Sequence, residues 1–456
     1  MGNSGAKSNG TVEPSSAQEH SAAQHRRQRQ QQHIESTKLA LALIGRCKSS
    51  SSGQDCIERM SLSELEGALH GNGRVASLVF DYCNCFGSPS NEPATASVCA
   101  VSTDDVVTAL CALSNDDARL DRLCLNAFAF AAESRVSTGR SPSDLMRRLV
   151  EVSAAACAVT PTEVEDEKTL AAIQLEPSAA MEASSCVAEA LAWKQMCLPR
   201  LTSSIAAFVA AALSSGVPPQ VQPLVVQKSS RHSVTSVLTP LESFLLRCLL
   251  PAAFFRAGAS ENHGVTDGAV PFLSKSFDLL FSSASDGLSI NRFEAKVFGY
   301  TGATILVVRK LSGELFCLAV DQPWKNSPKN WGDVDSLAVQ LRPRFEVRQH
   351  LSSDLYYNTR ARSLFRGLRA AQQSETGNPK GATWFLEVDA DLSDVEELEV
   401  YGCGAAESLR AQMDQQAWEQ RQTERMRKVP LPGNWDENPD RQILELAGIT
   451  VDHAQR

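Results

Sequence analysis

Six carboxylates crowd one short stretch: Glu387, Asp389, Asp391, Asp394, Glu396 and Glu397. Groups of this kind bind hard cations through oxygen or move protons. The local pattern argues for a strand and turn instead, with Phe385, Val388 and Leu392 facing a core and the carboxylates in water. Thiols are the second candidate. Cys317 or Cys403 beside His350 would give a thiol–imidazole pair, yet Cys317 sits inside an apolar run, where a thiol is core material. Nothing in the sequence sets a cation or a helix dipole against either thiol to activate it. Cys83-x-Cys85 lacks a second pair at zinc-ligand spacing. Asp81 to Glu92 has the length of a calcium loop, but cysteines and Phe86 occupy ligand and glycine positions. No G-x-S-x-G, phosphate-binding loop or H-E-x-x-H occurs. The chain therefore reads as non-enzymatic, with no cofactor and no metal.

One modification site stands out. Loss of Met1 from Met1-Gly2-Asn3-Ser4-Gly5-Ala6-Lys7 exposes Gly2 for N-myristoylation, although the pattern asks for Ser or Thr where this chain has Ala6. A single myristoyl chain binds membranes with K on the order of 10⁴ M⁻¹. Arg26, Arg27 and Arg29, helped by Lys38, Arg46 and Lys48, are the expected second contact with anionic lipid. The net charge of −9 gives no footprint for nucleic acid. Thirteen dispersed cysteines and no secretory signal point to free thiols in a reducing compartment. No transmembrane helix is expected, since Ser204 to Leu213 falls far short of the roughly 20 residues a span needs.

The elements that must position these groups follow from punctuation and period. Residues 1–33 lack apolar periodicity and read as a disordered tail. Residues 34–260 read as a helical region with a proline-marked linker at 217–236. Ser61 and Glu64 have capping-box spacing. Helices are expected at Arg74–Phe86, at Thr103–Leu113 with Thr103 as cap, at Leu120–Ala132, and at Ser143–Ala156 with Ser143 as cap. Short amphipathic helices in pairs look EF-hand-like, here without calcium ligands. Thr239–Leu250 is an apolar helix with Pro240 in its first turn. Ser289–Phe298 carries Ile290, Phe293 and Val297 on one face, with Ser289 as cap. Thr304 to Val308 has no wet side, which suggests a strand covered on both faces. Ser312-Gly313 turns the chain, and Leu315–Val320 returns. Ala405–Lys428 is a polar helix with sparse apolar residues. A last helix has Asn438 as cap and Gly448 as stop. Leu409, Met413 and Trp418 on the polar helix, with Ile443 and Leu444 on the last one, are the expected partner contacts.

The order of motifs from Ser276 to Gly402 resembles the TLDc domain known from oxidation-resistance proteins. It runs through Leu279-Leu280-Phe281-Ser282-Ser283, Asp286-Gly287, the Thr304–Val308 strand, Gln322-Pro323-Trp324-Lys325, Trp331-Gly332, Trp384–Asp389 and Glu397-Leu398-Glu399-Val400-Tyr401-Gly402. The resemblance covers about residues 268–402 and departs from the family at Cys317-Leu318 and at Arg366-Gly367-Leu368-Arg369. With the beginning Met1-Gly2 and the tail Ile443–Gly448, the chain is similar to the N-myristoylated subgroup that includes the MTOR-associated lysosomal protein and its fungal and plant relatives. The resemblance implies an α+β protein: a degenerate EF-hand-like all-helical region, a β-sandwich core at 268–402 flanked by helices, and a helical tail at 403–456. It also implies a regulator of the vacuolar-type proton ATPase, bound to its subunits at the cytoplasmic face of the lysosomal or vacuolar membrane through a myristoyl group. The alternatives are an adaptor for a TOR-pathway kinase and a thiol-dependent oxidative-stress protein.

Overall fold

A computed structural model describes residues 34–45, 59–86, 100–115, 119–135, 141–161, 163–175, 183–214, 218–221, 236–255, 271–362, 364–373, 383–427, 443 and 446–448. The helical region starts with a helix over residues 34–45. It continues through Leu62–Ala68, Gly73–Phe86, Thr103–Leu113, Leu120–Arg135, Pro142–Ala155, Val164–Ala172, Ala183–Cys197, Ser203–Ser214 and Pro240–Leu249. It is not purely helical. Strands β1 (Arg59–Ser61) and β2 (Ala100–Ser102) pair antiparallel, each running into a helix, because Met60 and Val101 lie opposite one another and both turn inward.

Caps fix where these helices begin. Ser61 and Glu64 form the expected box, with Ser61 N donating to Glu64 Oε2 at 2.8 Å. Two expected caps move by one or two residues. Ser102, not Thr103, is the extended residue whose hydroxyl accepts from Asp104 N. Ser141, not Ser143, caps the next helix, because Pro142 with its fixed φ takes the first helical position. Ser143 instead accepts from Leu175 N at 2.8 Å. Ser289 holds the expected cap position, but its hydroxyl makes no cap bond; its carbonyl accepts from Phe293 N and starts the helix.

The remainder is built on two sheets. Strands β3 (Asp278–Ser282), β4 (Thr304–Lys310), β5 (Leu315–Val320), β6 (Leu337–Arg342), β7 (Glu346–Arg348) and β11 (Val395–Gly402) form a six-stranded sheet. Its order is β3-β11-β4-β5-β6-β7, antiparallel throughout. Strands β8 (Leu355–Asn358), β9 (Gly367–Gln373) and β10 (Thr383–Asp389) make a three-stranded antiparallel sheet in the order β10-β9-β8.

Alternation along β4 shows how three layers arise. Ile305 and Val307 join the core that contains the helical region, while Leu306 and Val308 join the core shared with Leu368, Ala370, Leu386 and Val388 of the smaller sheet. Successive strand residues point to opposite faces, so an unbroken apolar run fills two cores at once. Each such side chain contributes roughly 1.5–3 kcal/mol. On β10 the inward residues are Leu386 and Val388, whereas Phe385 is half-buried. Val388 and Leu392 are buried in that core as expected, and Phe385 packs against it from a half-buried position, with its ring 5.8 Å from that of Phe316.

The Pro240–Leu249 helix is fastened in the seam between helices and sheet. Glu242 accepts from Thr239 N at 3.0 Å and from Thr169 Oγ1 at 2.8 Å, and it lies 3.0 Å from Arg342 Nε on β6. Glu399 on β11 accepts from Val237 N at 3.1 Å and from the Tyr401 hydroxyl. Both carboxylates are buried. Burial pushes the Glu399 carboxyl above its ordinary value, against the opposing pull of the Tyr401 and Val237 donors. A raised folded-state value means that the folded chain holds the proton longer than the unfolded one. Its contribution to stability is full below the ordinary carboxylate range and is lost as pH rises through the raised value. Glu399→Gln, which carries no such proton, is expected to gain stability relative to the parent across that window. Denaturant unfolding at a series of pH values checks this, and a pH-independent difference would refute it.

Candidate functional site

The structure places each group singled out for chemistry. Cys317 on β5 and Cys403 after β11 are buried in the core against the helical region. Burial pushes both thiols up, and for Cys403 nearby Lys275 and Arg247 offset only part of the effect. Burial likewise pushes the Cys83 thiol up to about 12. Such thiols stay protonated and unreactive. His350 is exposed, with Nδ1 3.1 Å from the Val334 carbonyl oxygen. Of the six carboxylates, Glu387 lies 2.7 Å from Arg369 Nε, Glu397 2.9 Å from Arg309 Nη1 and Asp394 2.8 Å from Lys310 Nζ. The first two pairs join neighbouring strands, and the third joins the turn before β11 to the end of β4. Among the described residues no group of three or more His, Cys, Asp or Glu is arranged to hold a metal.

A cleft of about 580 Å³ opens between the Val164–Ala172 helix and the sheet. Its charged lining residues are Glu165, Lys168, Arg309, Glu314, Arg342 and Glu396. Several are committed to one another: Arg342 pairs with Glu165 and Glu242, and Lys168 pairs with Glu165 at 2.8 Å. A ligand entering here would have to break pairs that already hold the seam together.

The C-terminal helix, Ala406–Arg427, offers a different kind of surface. It is aimed by the chain just before it. Cys403 N donates to the Ala303 carbonyl at 2.7 Å, and Gly404 N donates to the Tyr300 hydroxyl at 2.8 Å. Gly302 is required here, since a β-carbon on it would meet Gly404 Cα at 2.7 Å. One helix face then docks on the Ile290–Val297 helix. Gln412 Nε2 donates to the carbonyls of Lys296 at 2.8 Å and Phe298 at 3.1 Å, and Gln416 Nε2 donates to that of Ala295 at 3.0 Å. These are carbonyls at a helix end that have no partner within the helix. Leu409 completes the row by packing on the core between the sheets.

The expected partner contacts thus separate. Leu409 is half-buried against the chain's own core. Met413 and Trp418 are exposed, Trp418 at 56%. Five residues apart at about 100° each, they lie roughly 140° from one another and make no single stripe. Trp418 points away from the docked row and has Met426 at about 80° from it. Ile443 is exposed, and Leu444 and Gly2 lie outside the described residues. The docking glutamines were missed by sequence reasoning. Their signal was the spacing i, i+3, i+7 of Leu409, Gln412 and Gln416, masked by their polarity.

Comparison with known proteins bears on the sheet domain most directly. The TLDc domain family model matches residues 269–404. Restriction of telomere capping protein 5 from Colletotrichum graminicola is 27% identical over 239 residues, covering 37% of this chain and 39% of that protein. The protein of the same name from Pyricularia oryzae is 25% identical over 299 residues, covering 46% and 47%. That from Leptosphaeria maculans is 42% identical over a shorter stretch of 59 residues. The match to the first two spans less than half of their length. Their name speaks of telomere capping and of neither a proton pump nor a growth-signalling kinase. It overturns the expectation of a proton-ATPase regulator and its alternative, a TOR-pathway adaptor. Motif order and family match agree that this chain carries a TLDc domain at residues 269–404.

Proposed function

We propose that this chain is a non-catalytic regulatory protein that takes part in the restriction of telomere capping, binding a partner protein through the outward side of its C-terminal helix. The observation that carries the binding role is Trp418. It is a large ring, exposed on a helix whose opposite row is already fastened to the chain's own body. Tryptophan is enriched among residues that dominate interfaces, and its loss from one commonly costs about 2 kcal/mol or more. The buried, protonated thiols and the paired carboxylates support a non-catalytic reading. The relatives' name supplies the process.

The test is complementation in a fungal host lacking its own restriction of telomere capping protein 5, scored by the growth of a capping-defective strain. The wild-type chain is expected to complement. Trp418→Ala, at equal abundance, is expected to fail, since about 2 kcal/mol weakens binding roughly 30-fold. Full complementation by Trp418→Ala would remove the helix from the proposal, and no effect of the wild-type chain would remove the process.

A further inference from the structure

The cations of the sheet domain are unevenly placed. Residues 322–332 contain Lys325 and Lys329, and residues 355–373 contain Arg360, Arg362, Arg366 and Arg369. Neither stretch has an aspartate or glutamate, in a chain whose net charge is −9. The fold puts the two stretches side by side. Trp331 and Leu355 exchange both backbone hydrogen bonds, at 2.7 and 2.8 Å. Ser327 N donates to the Tyr357 carbonyl at 2.9 Å, and Thr359 N donates to Asn326 Oδ1 at 2.9 Å. Within the second loop, Arg366 Nε donates to the Thr359 carbonyl at 3.1 Å and the Tyr356 hydroxyl to the Phe365 carbonyl at 2.9 Å. The Glu294 carboxylate beneath the loops is engaged by Asn326, Tyr357 and Thr359. Lys325, Lys329, Arg360, Arg362 and Arg366 are exposed, whereas Arg369 turns to Glu387. Leu364 stands among the arginines, 55% exposed.

We infer that this double loop docks on an anionic lipid surface, with Leu364 entering the headgroup boundary and the five exposed cations facing lipid phosphates and carboxylates. The composition favours lipid over nucleic acid. An apolar tip ringed by cations gains from an acyl boundary, whereas a phosphate backbone offers it nothing. Single-stranded nucleic acid would call for exposed rings to stack on. Here Trp324 and Trp331 are buried, and Phe365 is half-buried with the Arg369 guanidinium 3.7 Å from its ring centre. Hydrogen bonds between the loops fix the backbone that carries the cations before contact, which lowers the ordering cost of binding. The inference is independent of the telomere reading and of acylation.

The experiment is vesicle co-sedimentation with the full chain carrying Gly2→Ala, so that no acyl chain contributes. Phosphatidylserine-containing vesicles are compared with pure phosphatidylcholine, at low and raised salt. Partition onto the anionic vesicles, weakened by salt, is expected. Each basic residue near a charged surface is worth about fivefold in partition, so Arg360→Gln with Arg362→Gln should lower it roughly 30-fold. Lys325→Gln with Lys329→Gln, on the other loop, should do the same, and Leu364→Asp should lower it at both salt levels. Thermal melting of each variant confirms folding. Equal partition onto the two vesicle types, or no loss in either double variant, would overturn the inference. So would tighter binding to a short DNA duplex that displaces the vesicles, which would assign the patch to nucleic acid.

Discussion

Lys194→Ala is expected to cost about 3–5 kcal/mol of folding stability, the range found when one member of a buried ion pair is removed. Lys194 is fully buried, and its Nζ lies 2.7 Å from Asp121 Oδ1. It also donates to the Pro199 carbonyl at 2.7 Å and to Thr202 Oγ1 at 3.2 Å. Thr202 Oγ1 in turn donates to Asp121. This knot ties the Leu120–Arg135 helix to the Ala183–Cys197 helix and to the start of Ser203–Ser214. Truncation strips the mostly buried Asp121 carboxylate of its cation and leaves it the Thr202 hydroxyl. Lys194→Met together with Asp121→Leu removes both charges and fills the space, so it should recover most of the loss. Urea unfolding followed by circular dichroism measures both. A single variant within about 1 kcal/mol of the parent would show that the pair contributes little.

Phe293→Ala should destabilise the sheet domain by a similar about 3–5 kcal/mol. The ring lies at the centre of an aromatic cluster, with Trp324 at 5.3 Å, Tyr357 at 5.8 Å and Phe281 at 6.0 Å between ring centres. The effect should travel further than the cavity. The Ile290–Val297 helix presents the carbonyls of Ala295 and Lys296 to the C-terminal helix, and Phe298 just after it adds a third. A loosened platform should release that helix, seen as faster proteolysis within Ala406–Arg427. Gln412→Ala provides the contrast. It should speed the same cleavage while leaving most of the domain's stability intact. Unchanged cleavage in both variants would mean that the glutamine bonds do not hold the helix down.

Much of the architecture was legible because it depends on burial pattern. The unbroken Thr304–Val308 run announced a strand covered on both faces, and the structure covers it with helices on one side and the smaller sheet on the other. Cys317 followed from the same logic. Caps were legible to within two residues, since Ser102 and Thr103, or Ser141 and Ser143, offer the same chemistry, and only the backbone conformation chooses between them. Val388 was read as core-facing, but its neighbour on that face, Leu386, was left out because Trp384 and Phe385 carry the apolar run through both phases of the strand. The faces of the C-terminal helix were half legible. Exposed Trp418 and Met413 stood out against a polar helix. That Leu409 would be spent on the chain's own core depended on where Gln412 and Gln416 found carbonyls, and a helical spacing made of glutamines does not read as a buried face.

The match to the TLDc family model begins at residue 269, close to where the sheet domain starts. The material that shields one face of its larger sheet lies earlier in the chain. Ile305, Val307, Leu315, Cys317, Val339 and Leu341 belong to the same core as the helical region. The segment that the family model covers is therefore less than the unit that shares one core. A segment cut at residue 269 would bare that apolar sheet face and lose the Glu242–Arg342 contact that closes the seam.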